Sequence, residues 1–170
     1  MKTPARVSGC RRVGFWAVVG ILVTASSGGA SGGIATAAAP PPAGRCALTQ
    51  GEFGDPGYRP NAPVRSHVGT GFVLNGIVRS GIDCAVMRGT RVEFWLAGPN
   101  GYDEAHRGTL VTDGNGRYRL ESNLPSGSFG RQPHIHLRVA APGYRTLVTA
   151  YFPRAGAVAG TFDLVLEPEV

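Results

Sequence analysis

His134-Ile135-His136-Leu137-Arg138-Val139 reads as a β-strand, and that reading decides the architecture. Successive side chains on a strand point to opposite faces. Ile135, Leu137 and Val139 therefore share an apolar face that belongs in a core, while His134, His136 and Arg138 share the other. Two imidazoles two residues apart can chelate one metal ion. On the plain reading they are polar residues on the solvated face of an amphipathic strand.

Working outward, runs rich in Val, Thr, Phe and Tyr occur at residues 71–78, 91–96, 107–112, 116–121, 134–140, 146–152 and 160–166. Turn sequences separate them: Pro99-Asn100-Gly101, Asp113-Gly114-Asn115-Gly116 and Pro142-Gly143. These are strand and turn signals, and no stretch carries the period of a long amphipathic helix. Short strands at regular spacing predict an all-β chain built as an antiparallel β-sandwich. We expect the sandwich over residues 64–170 and an irregular, Gly- and Pro-rich arm over 40–63.

Residues 1–39 read as an export signal. Lys2, Arg6, Arg11 and Arg12 form a basic start, Val13 to Thr24 is apolar, and Ala35-Thr36-Ala37 fits a small-residue cleavage site. The apolar run is too short for a permanent anchor, so we expect a secreted or extracytoplasmic protein with no stable membrane anchor after cleavage. Arg11-Arg12 fits a twin-arginine signal with its Phe displaced to Phe15. Four of the 17 basic residues and none of the 11 acidic ones fall in this leader, so its removal lowers the formal charge from +6 to +2. No nucleic-acid partner is implied. With Cys10 removed, Cys46 and Cys84 remain as an even pair in an oxidising compartment, the pattern of a disulfide. Closing a loop of that size stabilises a fold by about 4 kcal/mol in the chain-entropy model. No coiled-coil repeat or strongly apolar surface stretch speaks to oligomeric state.

Around the histidine pair the residues form an ordered series. Val92-Glu93-Phe94-Trp95 is followed by Asn100-Gly101-Tyr102, Arg107-Gly108 and Val111 to Tyr118. Pro125, Arg131, the His-Ile-His tripeptide, Ala141 to Tyr144 and Leu147-Val148-Thr149 come next, with Cys46, Leu48-Thr49 and a Gly-Tyr at Tyr58 upstream. Over most of residues 46–152 this series resembles the intradiol ring-cleavage dioxygenases, the family of catechol and protocatechuate dioxygenases.

The resemblance implies a mononuclear non-haem Fe(III) centre held by tyrosinates and histidines. Its partners would be a small aromatic diol and O2, the ring opening between the hydroxyls to give a muconate-type diacid. The donors suit the ion: phenolate is a hard anionic oxygen ligand and imidazole a borderline one. Matched residue by residue, Tyr102 takes the place of the first tyrosine ligand, His134 and His136 the two imidazoles, and Arg131 the arginine that stabilises substrate charge. The plain readings are an ordinary turn aromatic for Tyr102 and a surface cation for Arg131.

The chain departs from the family pattern at three places. The second tyrosine ligand, which also accepts a substrate proton, is replaced by Ser128; the glutamine after Leu-x-Thr is replaced by Ala150; and Trp95 lies closer in sequence to Tyr102 than the pattern has it. Two functions therefore stand side by side: an exported dioxygenase in which a solvent-derived base replaces the lost tyrosine, and a catalytically inactive binding module of the same family. A transthyretin-like structural domain shares the architecture but gives no reason for the Arg131 to His136 segment. His106, four residues after Tyr102, reads as a solvated loop histidine or as a residue at the rim of the same site; His67 precedes the first strand and has no partner in sequence. Asp103 and Glu104 read as an acidic turn, or as a carboxylate that would complete a two-histidine facial triad. Asp113 to Gly116 is too poor in acidic residues for a calcium loop. Tyr118, Tyr144 and Tyr151 read as packing aromatics.

Overall fold

Buried and half-buried positions alternate without interruption along Phe72–Ser80, as a strand with one face on a core requires. This strand, β1, organises the first sheet of a computed structural model that describes residues 46–51, 57–127 and 130–170. The leader expected over residues 1–39, part of the arm and Ser128 lie outside the described residues.

In chain order the elements are β1 (Phe72–Ser80), β2 (Arg91–Leu96), a short 3-10 turn (Glu104–His106), β3 (Arg107–Val111), β4 (Arg117–Ser122), β5 (Ile135–Val139), β6 (Leu147–Tyr151), β7 (Ala159–Thr161) and β8 (Leu164–Leu166). They form two sheets. In the first, β1 lies between β4 and the pair β7 and β8; the second runs β3-β2-β5-β6. The expected all-β sandwich is what the chain forms.

Inward residues of both sheets make one core: Phe72, Leu74 and Val78 from β1 meet Val92, Phe94 and Leu96 from β2 and Ile135, Leu137 and Val139 from β5. Tyr118 and Tyr151 take the packing roles expected of them. The Tyr118 ring is buried and its hydroxyl donates to the Phe162 carbonyl at 2.5 Å, while Tyr151 stacks on Phe72 with centroids 6.0 Å apart.

One feature of the first sheet departs from the expectation. The run at 160–166 is not one antiparallel strand: β7 and β8 both pair in parallel with β1 and are separated at Phe162-Asp163. At the break the Asp163 carboxylate accepts from the Ile77 amide at 3.0 Å, a side chain standing in for a ladder carbonyl. The same segment explains Gly76, where a Cβ would come 2.0 Å from the Phe162 carbonyl oxygen and 2.6 Å from the Tyr118 ring.

The arm is tied down at both ends of its described portions. Cys46 is bonded to Cys84, and the Thr49 hydroxyl accepts from the Val165 amide at 2.8 Å. Further on, the Thr109 amide donates to the Pro63 carbonyl at 2.8 Å and the Arg65 amide to the Thr109 carbonyl at 3.1 Å. The arm thus reaches β3 and the outer face of the second sheet. No helix among the described residues is long and apolar enough to cross a membrane.

Candidate metal centre

With Ile135 turned inward and fully buried, His134 and His136 emerge on the outer face of the second sheet. β5 is central there, and its register sets Trp95 of β2 beside His136 on one side and Ala150 of β6 on the other. Neither histidine is solvated. His134 is 3% exposed and His136 not at all, which removes the plain reading of an open polar face.

Tyr102 arrives from the loop after β2. That loop closes on itself through paired Gly98 and Gly101 backbone bonds of 2.9 and 3.1 Å, with Gly101 at φ +89°, a conformation glycine adopts without a Cβ clash. The Tyr102 hydroxyl lies 3.1 Å from His134 Nε2 and 3.2 Å from His136 Nε2, and the two nitrogens are 3.0 Å apart. The structure therefore brings together three of the residues singled out from the sequence.

These three atoms fit a metal ion better than they fit one another. His134 Nδ1 faces the Gln132 carbonyl at 2.6 Å; a carbonyl only accepts, so Nδ1 carries a proton and Nε2 is the atom turned toward the other two donors. Burial, and after it electrostatic interaction with His134 and Arg131, lowers the His136 pKa to about 4, so the His136 ring is neutral at ordinary pH. Even with the phenol proton and one on His136 Nε2, two protons cannot fill three mutual contacts. Bonds of about 2.0–2.2 Å from one ion, set at near-right angles, would hold its donors about 3 Å apart, which is the separation found. Among the described residues no group of three His, Cys, Asp or Glu could hold a metal; here the third donor is a phenol.

The remaining candidates fall elsewhere. Arg131 is exposed yet close enough to contribute to the lowered pKa of His136. Asp103 is engaged by His106, its carboxylate 2.7 Å from the ring Nδ1 and accepting from the His106 amide at 3.0 Å. That contact lowers the Asp103 pKa. Glu104 pairs with Arg59 at 2.7 Å, and His67 stands near Glu121 on the other sheet. Neither carboxylate completes a facial triad with the two histidines. Asp113 accepts from the Asn115 and Arg117 amides at 2.9 and 2.8 Å, as a hairpin turn requires.

For several residues around the centre the sequence suggested no role there. Trp95 is 2% exposed and stacks on His136 with ring centroids 4.8 Å apart and planes 7° from parallel. Phe152 lies 5.6 Å from the His134 ring. Arg107, 2% exposed, donates to the Gly57 carbonyl at 2.9 Å and the Asp103 carbonyl at 3.1 Å. A signal for Trp95 was present: with Val92, Phe94 and Leu96 facing inward, alternation leaves a tryptophan on the outer face, where only a covering layer would bury it.

A β-sandwich carrying a phenol and two imidazoles at one point defines a candidate mononuclear metal protein. The chain matches no family profile. Among curated proteins it is similar to chlorocatechol 1,2-dioxygenases: 26% identical to that of Cupriavidus pinatubonensis (strain JMP 134 / LMG 1197) over 49% of this chain and 43% of the relative, and 28% identical to that of Pseudomonas putida over 49% and 42%. It spans under half the length of those relatives. Among solved structures, the dioxygenase domain of a dioxygenase and carbohydrate-binding protein fusion from Streptomyces sp. SirexAA-E shares the fold at a TM-score of 0.62. It is 24% identical and covers 72% of this chain and all of that one. Chlorocatechol 1,2-dioxygenase from Pseudomonas putida shares it at 0.57, with 22% identity over 66% of this chain and 70% of that one. The chain is thus similar in part of its sequence to chlorocatechol 1,2-dioxygenases and shares their fold, in keeping with the resemblance its motif series carries.

Proposed function

We propose that the protein is an exported dioxygenase that binds Fe(III) through Tyr102, His134 and His136 and uses O2 to open catechol-type rings between their two hydroxyls. The convergence of three donor atoms within 3.0–3.2 Å of one another carries this reading. The names of the curated relatives, chlorocatechol 1,2-dioxygenases, support the substrate class.

Ferric iron, when bound, would supply the Lewis acidity that holds both diol oxygens as anions and the electron-accepting character that makes the ring reactive toward O2. The residues of the chain do the rest. Tyr102 would hold a trivalent cation through its phenol oxygen, as the anion such a charge favours. The Gln132 carbonyl keeps the His134 proton on Nδ1. Trp95 covers one face of His136 and shields it from water. Arg131 places a positive charge where the diolate accumulates a negative one. Ser128 occupies the register of the family's proton-accepting tyrosine, so the diol proton passes to solvent, which predicts slow turnover. Both oxygen atoms of O2 enter the diacid product.

Ala150 supports the second reading, a binding module without turnover: it lies opposite His136 in the sheet register, where the family pattern has a glutamine. Oxygen uptake by the iron-loaded chain across a panel of catechols separates the two. Under the enzymatic reading, uptake is seen and His134→Ala abolishes it; a loaded protein that binds catechols without consuming oxygen is the binding module. A burgundy tyrosinate-to-iron absorption is expected on loading, and a colourless chain that takes up no iron would falsify the enzymatic reading and leave the binding module. The export reading rests on the leader and is tested by recovering the chain outside the cytoplasm with its N-terminus near residue 38 or 40.

A further inference from the structure

One short stretch of the arm touches both halves of the metal centre. Gly57 lies against the Tyr102 ring, so close that a Cβ there would come 2.9 Å from its Cγ, and Gly57 holds φ +79°, where a side chain is strained. Tyr58 packs on Trp95 with ring centroids 5.3 Å apart, and Trp95 in turn lies flat on His136.

Both contacts are themselves anchored. The buried Arg107 bonds the Gly57 carbonyl and the Asp103 carbonyl, the latter next to Tyr102. The Tyr58 hydroxyl donates to Glu93 at 3.1 Å, Arg138 pairs with the same carboxylate at 2.6 Å, and the Arg138 guanidinium sits 5.1 Å over the Tyr58 ring. Cation–π and charge-assisted contacts of this kind fix a ring in place when they are shielded from solvent.

We propose that Gly57-Tyr58 is the positioning element of the centre: the arm presses Tyr102 from one side and, through Trp95, holds the plane of His136 from the other. Metal affinity is therefore coupled to docking of the arm. The inference rests on the metal-centre reading above and adds residues far from the donors in sequence. Tyr58 is a positioning residue here and does not touch the ion.

Cobalt(II) added to the metal-free chain tests this without any need for turnover, because its visible bands report donor geometry. Tyr58→Ala should weaken cobalt binding about tenfold, the lower end of the effect of removing an outer partner of a ligand, and should alter the bands. Tyr58→Phe keeps the ring on Trp95 and should restore both. Gly57→Ala, which reaches Tyr102 and not Trp95, should also weaken binding. Near-UV circular dichroism checks folding, and Tyr58→Leu replaces the alanine variant, with the same expectation, if that variant is unfolded. Wild-type affinity and bands in Tyr58→Ala overturn the inference, as does a Tyr58→Phe variant no better than the alanine one. A wild-type chain that takes up no cobalt overturns the metal-centre reading and this inference together.

Discussion

His136 has no exposure to solvent, and its depressed pKa of about 4 makes it a stability sensor in the metal-free chain. In the unfolded chain an imidazole titrates near ~6.5. Between these values the unfolded state binds more protons than the folded one, so stability rises with pH across that window and levels off above it. The full span is about 3 kcal/mol. Urea midpoints of the metal-free protein should therefore fall as pH drops from 7 toward 4, and the fall should shrink in His136→Phe, which keeps a ring against Trp95 without the titrating nitrogens. An equal slope in both would show that the slope does not come from His136. For the metal itself, His134→Ala removes a donor and should weaken binding by more than about a hundredfold, since even outer partners of ligands are worth about 10–100-fold. Isothermal titration with cobalt reads that loss. The histidine pair was legible because a period of two puts residues 134 and 136 on one face whatever else the chain does. Tyr102 was legible only through the resemblance, since nothing in its own neighbourhood reveals where a loop of glycines delivers its ring.

At the scale of elements, alternation located the strands because each has one face on a common core. It is silent on direction. The parallel pairing of β7 and β8 with β1 was invisible, since a strand with one apolar face reads the same in either sense. The break at Phe162-Asp163 is likewise set by a long-range bond, from the Ile77 amide to the Asp163 carboxylate. Asp163→Ala removes that acceptor and should cost about 1–2 kcal/mol, seen as a lower denaturant midpoint. Stability equal to wild type would show that solvent satisfies the Ile77 amide as well as the carboxylate does. The register of β2 against β5 explains why Trp95 and Glu93, though part of the motif series, carried no role at the centre in the sequence. It places Trp95 beside His136 and Glu93 beside Arg138, and a sequence read strand by strand carries no information about which residues become neighbours across a sheet.

For the molecule as a whole, the arm is the part that most needs an external constraint. Its described residues contribute no strand or helix, so little cooperative hydrogen bonding holds it, yet it carries Tyr58 to the centre. The Cys46–Cys84 bridge spans 38 residues and ties the start of the arm to the turn after β1, near the Ser80 and Ala85 backbone bond. A loop of that length is worth about 4 kcal/mol of restricted unfolded-state entropy in the chain-entropy model. Reducing the bond should lower unfolding stability by about 2–4 kcal/mol while leaving the far-UV signal of the sandwich unchanged at 25 °C, because the core residues of both sheets lie outside the arm. Cys46→Ser should reproduce the effect and become insensitive to reductant. A stability difference below about 1 kcal/mol between oxidised and reduced forms would mean that packing and hydrogen bonds already hold the arm. Compartment enters at the same point: protein made in a reducing environment should start in the weaker state and regain the difference on oxidation, so the stability of the whole chain depends on the redox state of its surroundings.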